Sequence, residues 1–539
     1  MNVKEYILPL TNDIAKGYIQ SDEKIASLFD YSLNDEMKFH KRKEDLEKRN
    51  FQRQELASVL EKAHKNYKYN TKALEQIERL KDENSLFVVG GQQPGVLTGP
   101  LYTIYKAITV IELAKEQESE LGVPVIPLFW IAGEDHDFAE IHHIFIQSNS
   151  NNNWKKHAIS DQSLNKKMLS YLEIEQKDVK QWLEKVFFSY KETAHTKELY
   201  NVALELLERS NTFVDFFAEL MSWLFKEEGL LLLDSADKNV RQLEKTYFVK
   251  MIEQNQQIQE AFIEGVRQIE SLGFTSPIEL AVENGNLFYV ENGKRHRIDR
   301  EGEHFNTGKR TLSTDELLKI AKESPEYLSN NVVTRPLMQE ELLPVLAFVG
   351  GPGEIAYWST LKEVFHLFSY KIPPLIPRIA ATIVDRQTEK WLEEYQVSAE
   401  EALQGVSQEK NKWYEKQKKW NVEETAILVK EKISAVHREF QDLATAIDPS
   451  LEKIALKNYQ IIEGQLTYLE KKLEGQIRKQ YEVELSHFDL IEMSFSPDGK
   501  PQERFFNIFY YLNQYGSDLV PRISSLQLKR NYLHKVIYL

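Results

Sequence analysis

The 539-residue chain has no cysteine, which excludes disulfides and any thiolate metal site and fits a cytoplasmic protein. No apolar run approaches the ~20 residues that a membrane helix needs. The opening Met1-Asn2-Val3-Lys4-Glu5 has no hydrophobic signal core, so neither export nor membrane insertion is expected. Basic residues are also in short supply. With 68 Lys and Arg against 83 Asp and Glu, the formal net charge is −15. Counterion release from nucleic acid needs a dense basic face, so nucleic acid is not an expected partner. Small-molecule chemistry is the better expectation. Hydrophobic residues make up 42%, enough for a sizeable core, and the length allows roughly three or four domains.

Glycine-rich turns of two familiar kinds are missing as well. Neither a GK[ST] phosphate loop nor a clean GxGxxG occurs where strands run into glycines. Two strands nevertheless do so. Leu86-Phe87-Val88-Val89 meets Gly90-Gly91-Gln92-Gln93-Pro94-Gly95, and Leu346-Ala347-Phe348-Val349 meets Gly350-Gly351-Pro352-Gly353-Glu354. A helical pattern follows each. Strand, glycine turn and helix let a backbone approach a ligand closely and aim unpaired N–H groups at an anion. A nucleotide or carboxylate site between the turns is one reading, and a pair of tight turns without a ligand is the other.

Residues 1–85 read as a charged, helical segment packed on the core, with a periodic stretch from about Asp35 to Leu80. Residues 86–384 read as α/β, with strands at Leu86, Val123–Ile131, Leu230–Leu233, Val345–Val349 and Pro374–Ile376 separated by helical patterns. Insertions are expected near 150–228 and 276–310, the second holding an Asn292-Gly293 hairpin turn. Between 385 and 496, Val422, Ala426, Val429, Ile433, Val436, Phe440, Leu443 and Ile447 alternate spacings of four and three. After Asp448-Pro449-Ser450 a second such series runs through Ala455, Tyr459, Ile462, Leu466, Leu469 and Leu473. Two such seams predict an antiparallel coiled-coil hairpin, suited to a dimerisation arm. Residues 497–539 are expected to return to the core.

Candidate chemistry concentrates at the carboxyl ends of these strands, where open α/β sheets bind ligands. Glu134-Asp135-His136-Asp137 follows the apolar strand; its functional readings are metal coordination, ribose hydrogen bonding or general-base work by His136, and Asp137 could instead cap the next helix. His142 and His143 lie nearby, but no metal ligand is assigned. Thr98, before Gly99 and Pro100, could cap the following helix, where Tyr102 lies, and hold a phosphate oxygen. Lys106, two turns in, is expected to face solvent. Gln92 and Gln93 could bind a carboxamide, carboxylate or base edge. Asn331, Thr334 and Arg335 precede the second glycine turn, and Arg335 offers a fork for a carboxylate or phosphate, or a surface salt bridge. Glu354 could hold a substrate amine or satisfy the helix start. Tyr357 could stack on a base, Arg378 ends the last strand, and Arg504 could line a second nucleotide pocket.

Together, Gly91-Gln92-Gln93-Pro94-Gly95 with Thr98-Gly99-Pro100-Leu101, Phe129 through Asp137, and Gly350 through Glu354 resemble the bacillithiol-biosynthesis cysteine ligase family across essentially the whole chain. The resemblance implies a Rossmann-like core with connective-peptide insertions, similar to class I aminoacyl-tRNA synthetase-type ligases, and a coiled coil supporting a homodimer. It implies addition of L-cysteine to glucosaminyl-malate, with ATP forming a cysteinyl adenylate. Gln92 to Thr98 would then contact nucleotide phosphates, His136 would help deprotonate the attacking amine, Asp135 and Asp137 would be catalytic as well, and Arg335 or Arg378 would hold malate carboxylates. The two histidines of the first synthetase signature are absent here. No lysine loop follows the last strand, and Lys167-Met168-Leu169-Ser170 is a partial match elsewhere. A non-catalytic dimeric scaffold binding nucleotide or precursor in the same pathway is the alternative, and a nucleotidyltransferase a third reading.

Overall fold

A computed structural model describes residues 1–8, 11–147, 154–160, 166–281 and 283–539. Residues 150–153 and 161–165 of the first expected insertion, and residue 282 of the second, lie outside the described residues. The chain divides into two units: Glu5–Ala381 with Glu503–Lys535, and Thr382–Gln502 with Met1–Lys4 and Val536–Leu539.

The larger unit is built on a five-stranded parallel sheet. Its strands are β1 (Leu86–Gln92), β2 (Val125–Ile131), β3 (Leu231–Asp234), β4 (Val345–Gly350) and β5 (Leu375–Pro377), in the spatial order β5-β4-β1-β2-β3. Every residue of β2 and β4 is buried, as near-continuous apolar runs require when helices cover both faces. The order reverses between β1 and β4, and this switch point opens a crevice at the strands' carboxyl ends. Both glycine turns stand there, with Gly90 paired in register with Val349.

Helix α1 (Leu101–Leu121) packs on β1 at the position of Gly90, where an added Cβ would meet Val110 Cγ2 at 2.7 Å. Pro100 stands at its N-cap with extended backbone. Thr98, expected in that role, is buried with a φ of 73° and its hydroxyl caps nothing. The short helix α2 (Pro352–Trp358) leaves the second turn.

The stretch from Asp35 to Leu80 folds as three helices, Lys38–Leu46, Arg53–His64 and Thr71–Leu80. Asn292 and Gly293 both have positive φ (51° and 75°) and turn the strands Asn284–Glu291 and Lys294–Glu301 into a hairpin. That hairpin belongs to a five-stranded antiparallel sheet reaching Leu328–Asn330, so the second insertion extends some twenty residues past its expected end.

In the smaller unit, α3 (Val422–Ile447) and α4 (Glu452–Gln480) form the hairpin that the two apolar series predict. Asp448 accepts a hydrogen bond from the Ser450 N–H in the connecting turn. The seam is not closed within the chain. Val436, Phe440, Leu443 and Ile447 are 56–69% exposed, and only Val422 and His437 of α3 are buried.

Candidate functional site

The crevice at the switch point is a cavity of about 310 Å³. Gly91, Gln92 and Gln93 wall one side, and Gly351, Pro352, Gly353 and Glu354 the other, with Trp130 and Asp135 from the β2 end. Glycine at position 91 is enforced by packing, because a Cβ there would stand 2.6 Å from the Trp130 carbonyl oxygen. At Gly353 a Cβ would meet nothing within 4 Å.

A buried lysine ties the two turns together. Lys106, expected at the surface, is 1% exposed. Its Nζ donates to the Gly91 carbonyl (2.6 Å), Gln92 Oε1 (3.0 Å) and Glu354 Oε2 (2.6 Å). The Glu354 carboxylate also accepts from the Gly351 N–H at 2.8 Å, so this acid satisfies its own helix start. Burial pushes the Lys106 ammonium below its ordinary value, and the Glu354 charge opposes that shift. The sequence signal was present: Lys106 is the only charged residue between Leu101 and Ile111, too apolar a run for a solvent-facing site.

Of the four residues after β2, the structure gives each a separate place. Glu134 is completely buried. It accepts from Arg335 Nε (2.7 Å), Arg241 (2.6 Å) and the Ser329 hydroxyl (2.7 Å). Burial alone would raise this carboxyl, but Arg335, Arg241 and Arg295 outweigh it and hold the group at about 2. Asp135 reaches the cavity and is held by Arg335 at 2.6 Å and Arg295 at 3.4 Å. His136 and Asp137 do not line the cavity. They face outward, 39% and 60% exposed, with 3.9 Å between Nε2 and Oδ1. Asp137 stands at the N-cap of Phe138–Ile141 without a side-chain capping bond. Of the acidic-imidazole run only Asp135 therefore reaches the crevice, and His136, expected to act as base, does not.

The arginines are likewise committed. Arg335 is bound to Glu134 and Asp135 rather than forming a surface salt bridge, and Arg378 grips the Glu503 carboxylate through both terminal nitrogens. Both line the crevice with their charge paired inside the protein. Tyr102 and Tyr357 line the cavity, while Gly95 and Gly99 line a smaller one of about 50 Å³. Asn331 and Thr334 are buried and line neither cavity: the Asn331 amide donates to Asn286, and the Thr334 hydroxyl to the Asn286 carbonyl. Pro94 lines neither cavity. Arg241, Arg295 and Glu503, which hold these groups, escaped the sequence reading because they lie more than 100 residues from their partners. Among the described residues no group of three His, Asp or Glu is arranged to hold a metal ion, and no helix is long and apolar enough to cross a membrane.

A parallel sheet in this order with a crevice at its switch point defines a Rossmann-like core, carried in the same chain as a coiled-coil unit. Two family models match the chain: the N-terminal Rossmann-like domain of the bacillithiol biosynthesis protein BshC matches residues 1–379, and the BshC C-terminal coiled-coil domain matches 381–539. Curated relatives named "Putative cysteine ligase BshC" match over their full lengths and the whole of this chain. The protein of Halalkalibacterium halodurans is 42% identical, and those of Geobacillus thermodenitrificans and Bacillus cytotoxicus are each 40% identical. The chain belongs to the BshC family.

Proposed function

We propose that this protein is a ligase that joins the carboxylate of L-cysteine to the sugar amine of glucosaminyl-malate, forming an amide and completing bacillithiol. The observation that carries the reading is the single crevice into which both glycine turns open at the reversal of strand order. A site of this kind holds small anionic ligands against backbone N–H groups. Family membership supplies the chemistry to be placed there. Amide formation from a carboxylate is uphill in water, so ATP as co-substrate would supply the activation.

The residues present fit an anionic group beside the turns. Gln92 and Gln93 offer amide donors, and the space around Gly353 is open. These residues and the Gly351–Gly353 backbone would hold phosphate oxygens. Thr98 is left out, being fully buried and absent from the lining. The Lys106–Glu354 pair orients the turns, and Arg335 fixes Asp135 at the cavity wall. With that carboxylate held by two guanidiniums, proton removal from the attacking amine falls to solvent or a second substrate rather than to His136.

We infer also that the exposed seam of α3 pairs with a second copy of the chain. Large apolar residues left uncovered on one helix face favour association.

Purified protein mixed with ATP, L-cysteine and glucosaminyl-malate should yield bacillithiol by mass spectrometry, and omitting ATP should abolish it. Equal yield without ATP refutes the activation step. No product, with the precursor still bound, favours the non-catalytic scaffold.

A further inference from the structure

Four cations line the crevice: Lys106, Arg335, Arg378 and Arg504. Three are neutralised within the protein, by Glu354, by Glu134 with Asp135, and by Glu503. Arg504 is different. Among the described residues it has no ion pair and no hydrogen bond, and its guanidinium stands 5.9 Å from the centre of the Tyr102 ring. The crevice therefore carries one uncompensated positive charge.

Its position is defined although its side chain is exposed. Glu503 is clamped by Arg378 and accepts from the Ala381 N–H at 3.3 Å. On the other side, the Leu101 N–H donates to the Phe506 carbonyl at 2.9 Å, and the Asn507 amide donates to the Leu97 and Gly99 carbonyls, both at 2.7 Å. The residues on both sides of Arg504 are thus fastened to the segment after the first glycine turn and to the stretch from Arg378 to Ala381 that follows β5. Together with Gln93 and Tyr102, Arg504 lines both the main crevice and the smaller cavity, so it stands where the two meet. Glu140, on the smaller cavity, makes no ion pair with it.

We propose that Arg504 binds a malate carboxylate of the acceptor and selects a dicarboxylate-bearing sugar amine over a neutral one. This assignment rests on the ligase reading above. The chemistry separates the three anions involved. The cysteine carboxylate must become an electrophile, and a guanidinium locked onto it would preserve its charge. ATP phosphates change their charge and leave during turnover. The malate carboxylates stay ionised and unreacted throughout, which suits a permanent cation with a planar two-pronged donor. The smaller cavity that Arg504 shares is far narrower than the main crevice, about 50 Å³ against 310 Å³.

The test compares wild type, Arg504→Gln and Arg504→Lys in steady-state kinetics, with glucosaminyl-malate and its malate diamide as acceptors. Calorimetric titration of glucosaminyl-malate into each protein adds a readout that needs no turnover. Arg504→Gln should raise KM for glucosaminyl-malate roughly 10- to 100-fold, the usual range for a lost charged hydrogen bond. The KM values for ATP and cysteine, and kcat/KM for the diamide, should stay within about twofold, with partial recovery in Arg504→Lys. An unchanged KM for glucosaminyl-malate, an equal loss on both acceptors, or a raised KM for ATP overturns the assignment while leaving the ligase reading intact. A wild type that neither binds nor consumes glucosaminyl-malate overturns both.

Discussion

Replacing Lys106 with methionine keeps the length of the side chain and removes its charge. Three bonds go at once: to the Gly91 carbonyl, to Gln92 Oε1 and to Glu354. Removing one member of a fully buried ion pair costs about 3–5 kcal/mol, chiefly because the other is left unpaired. Glu354 is 25% exposed and keeps its bond from the Gly351 N–H, so water offsets part of that loss. A destabilisation of about 2–4 kcal/mol results once the orphaned Gly91 carbonyl is included. Urea unfolding should show a lower midpoint with an unchanged slope. The double variant Lys106→Met with Glu354→Gln should be more stable than the single one expects, because no uncompensated charge remains. A single variant within about 0.5 kcal/mol of wild type, or strictly additive losses in the double, would refute the idea of a charged tether between the turns.

Three further outcomes are expected. Glu134 is held at about 2 against an ordinary 4.5, so its contribution to stability is present above 4.5 and lost as pH falls towards 2. That amounts to about 3 kcal/mol, and Glu134→Gln should flatten the acid limb of the stability profile over this window. Gly91→Ala should cost about 1–3 kcal/mol by urea unfolding, because its methyl meets the backbone of β2, whereas Gly353→Ala should be nearly neutral. Phe440→Glu with Ile447→Glu should convert a dimer to a monomer by light scattering without altering the melting of the larger unit, and a mass unchanged by the substitutions would exclude the seam as the interface.

Some of this architecture could be read along the chain because it is periodic or locally encoded. The apolar runs of β1 to β5 are long enough, and bounded clearly enough, to mark buried strands. Asn292-Gly293 specifies its turn through two residues that tolerate positive φ. The spacings of α3 and α4 imply a coiled-coil hairpin whatever surrounds them. The glycines of both turns mark close backbone approach, and that is how they are used at Gly90 and Gly91.

Charge pairing is another matter. Whether Arg335 reaches solvent or Glu134, and whether Lys106 points outward or towards Glu354 some 250 positions later, depends on which strands become neighbours. The same is true of His136 and Asp137: the run they belong to is visible, but the direction each side chain takes where the chain leaves β2 is not. Sequence alone determined the α/β class, the hairpin and the two turns, because local propensity and hydrophobic period act over a few residues. Only the tertiary structure decided that β1 and β4 lie side by side, which brings the turns into one crevice and leaves Arg504 as its unpaired charge. Contacts across hundreds of residues are selected by burial and electrostatics acting in the assembled core, and no short stretch of chain carries them.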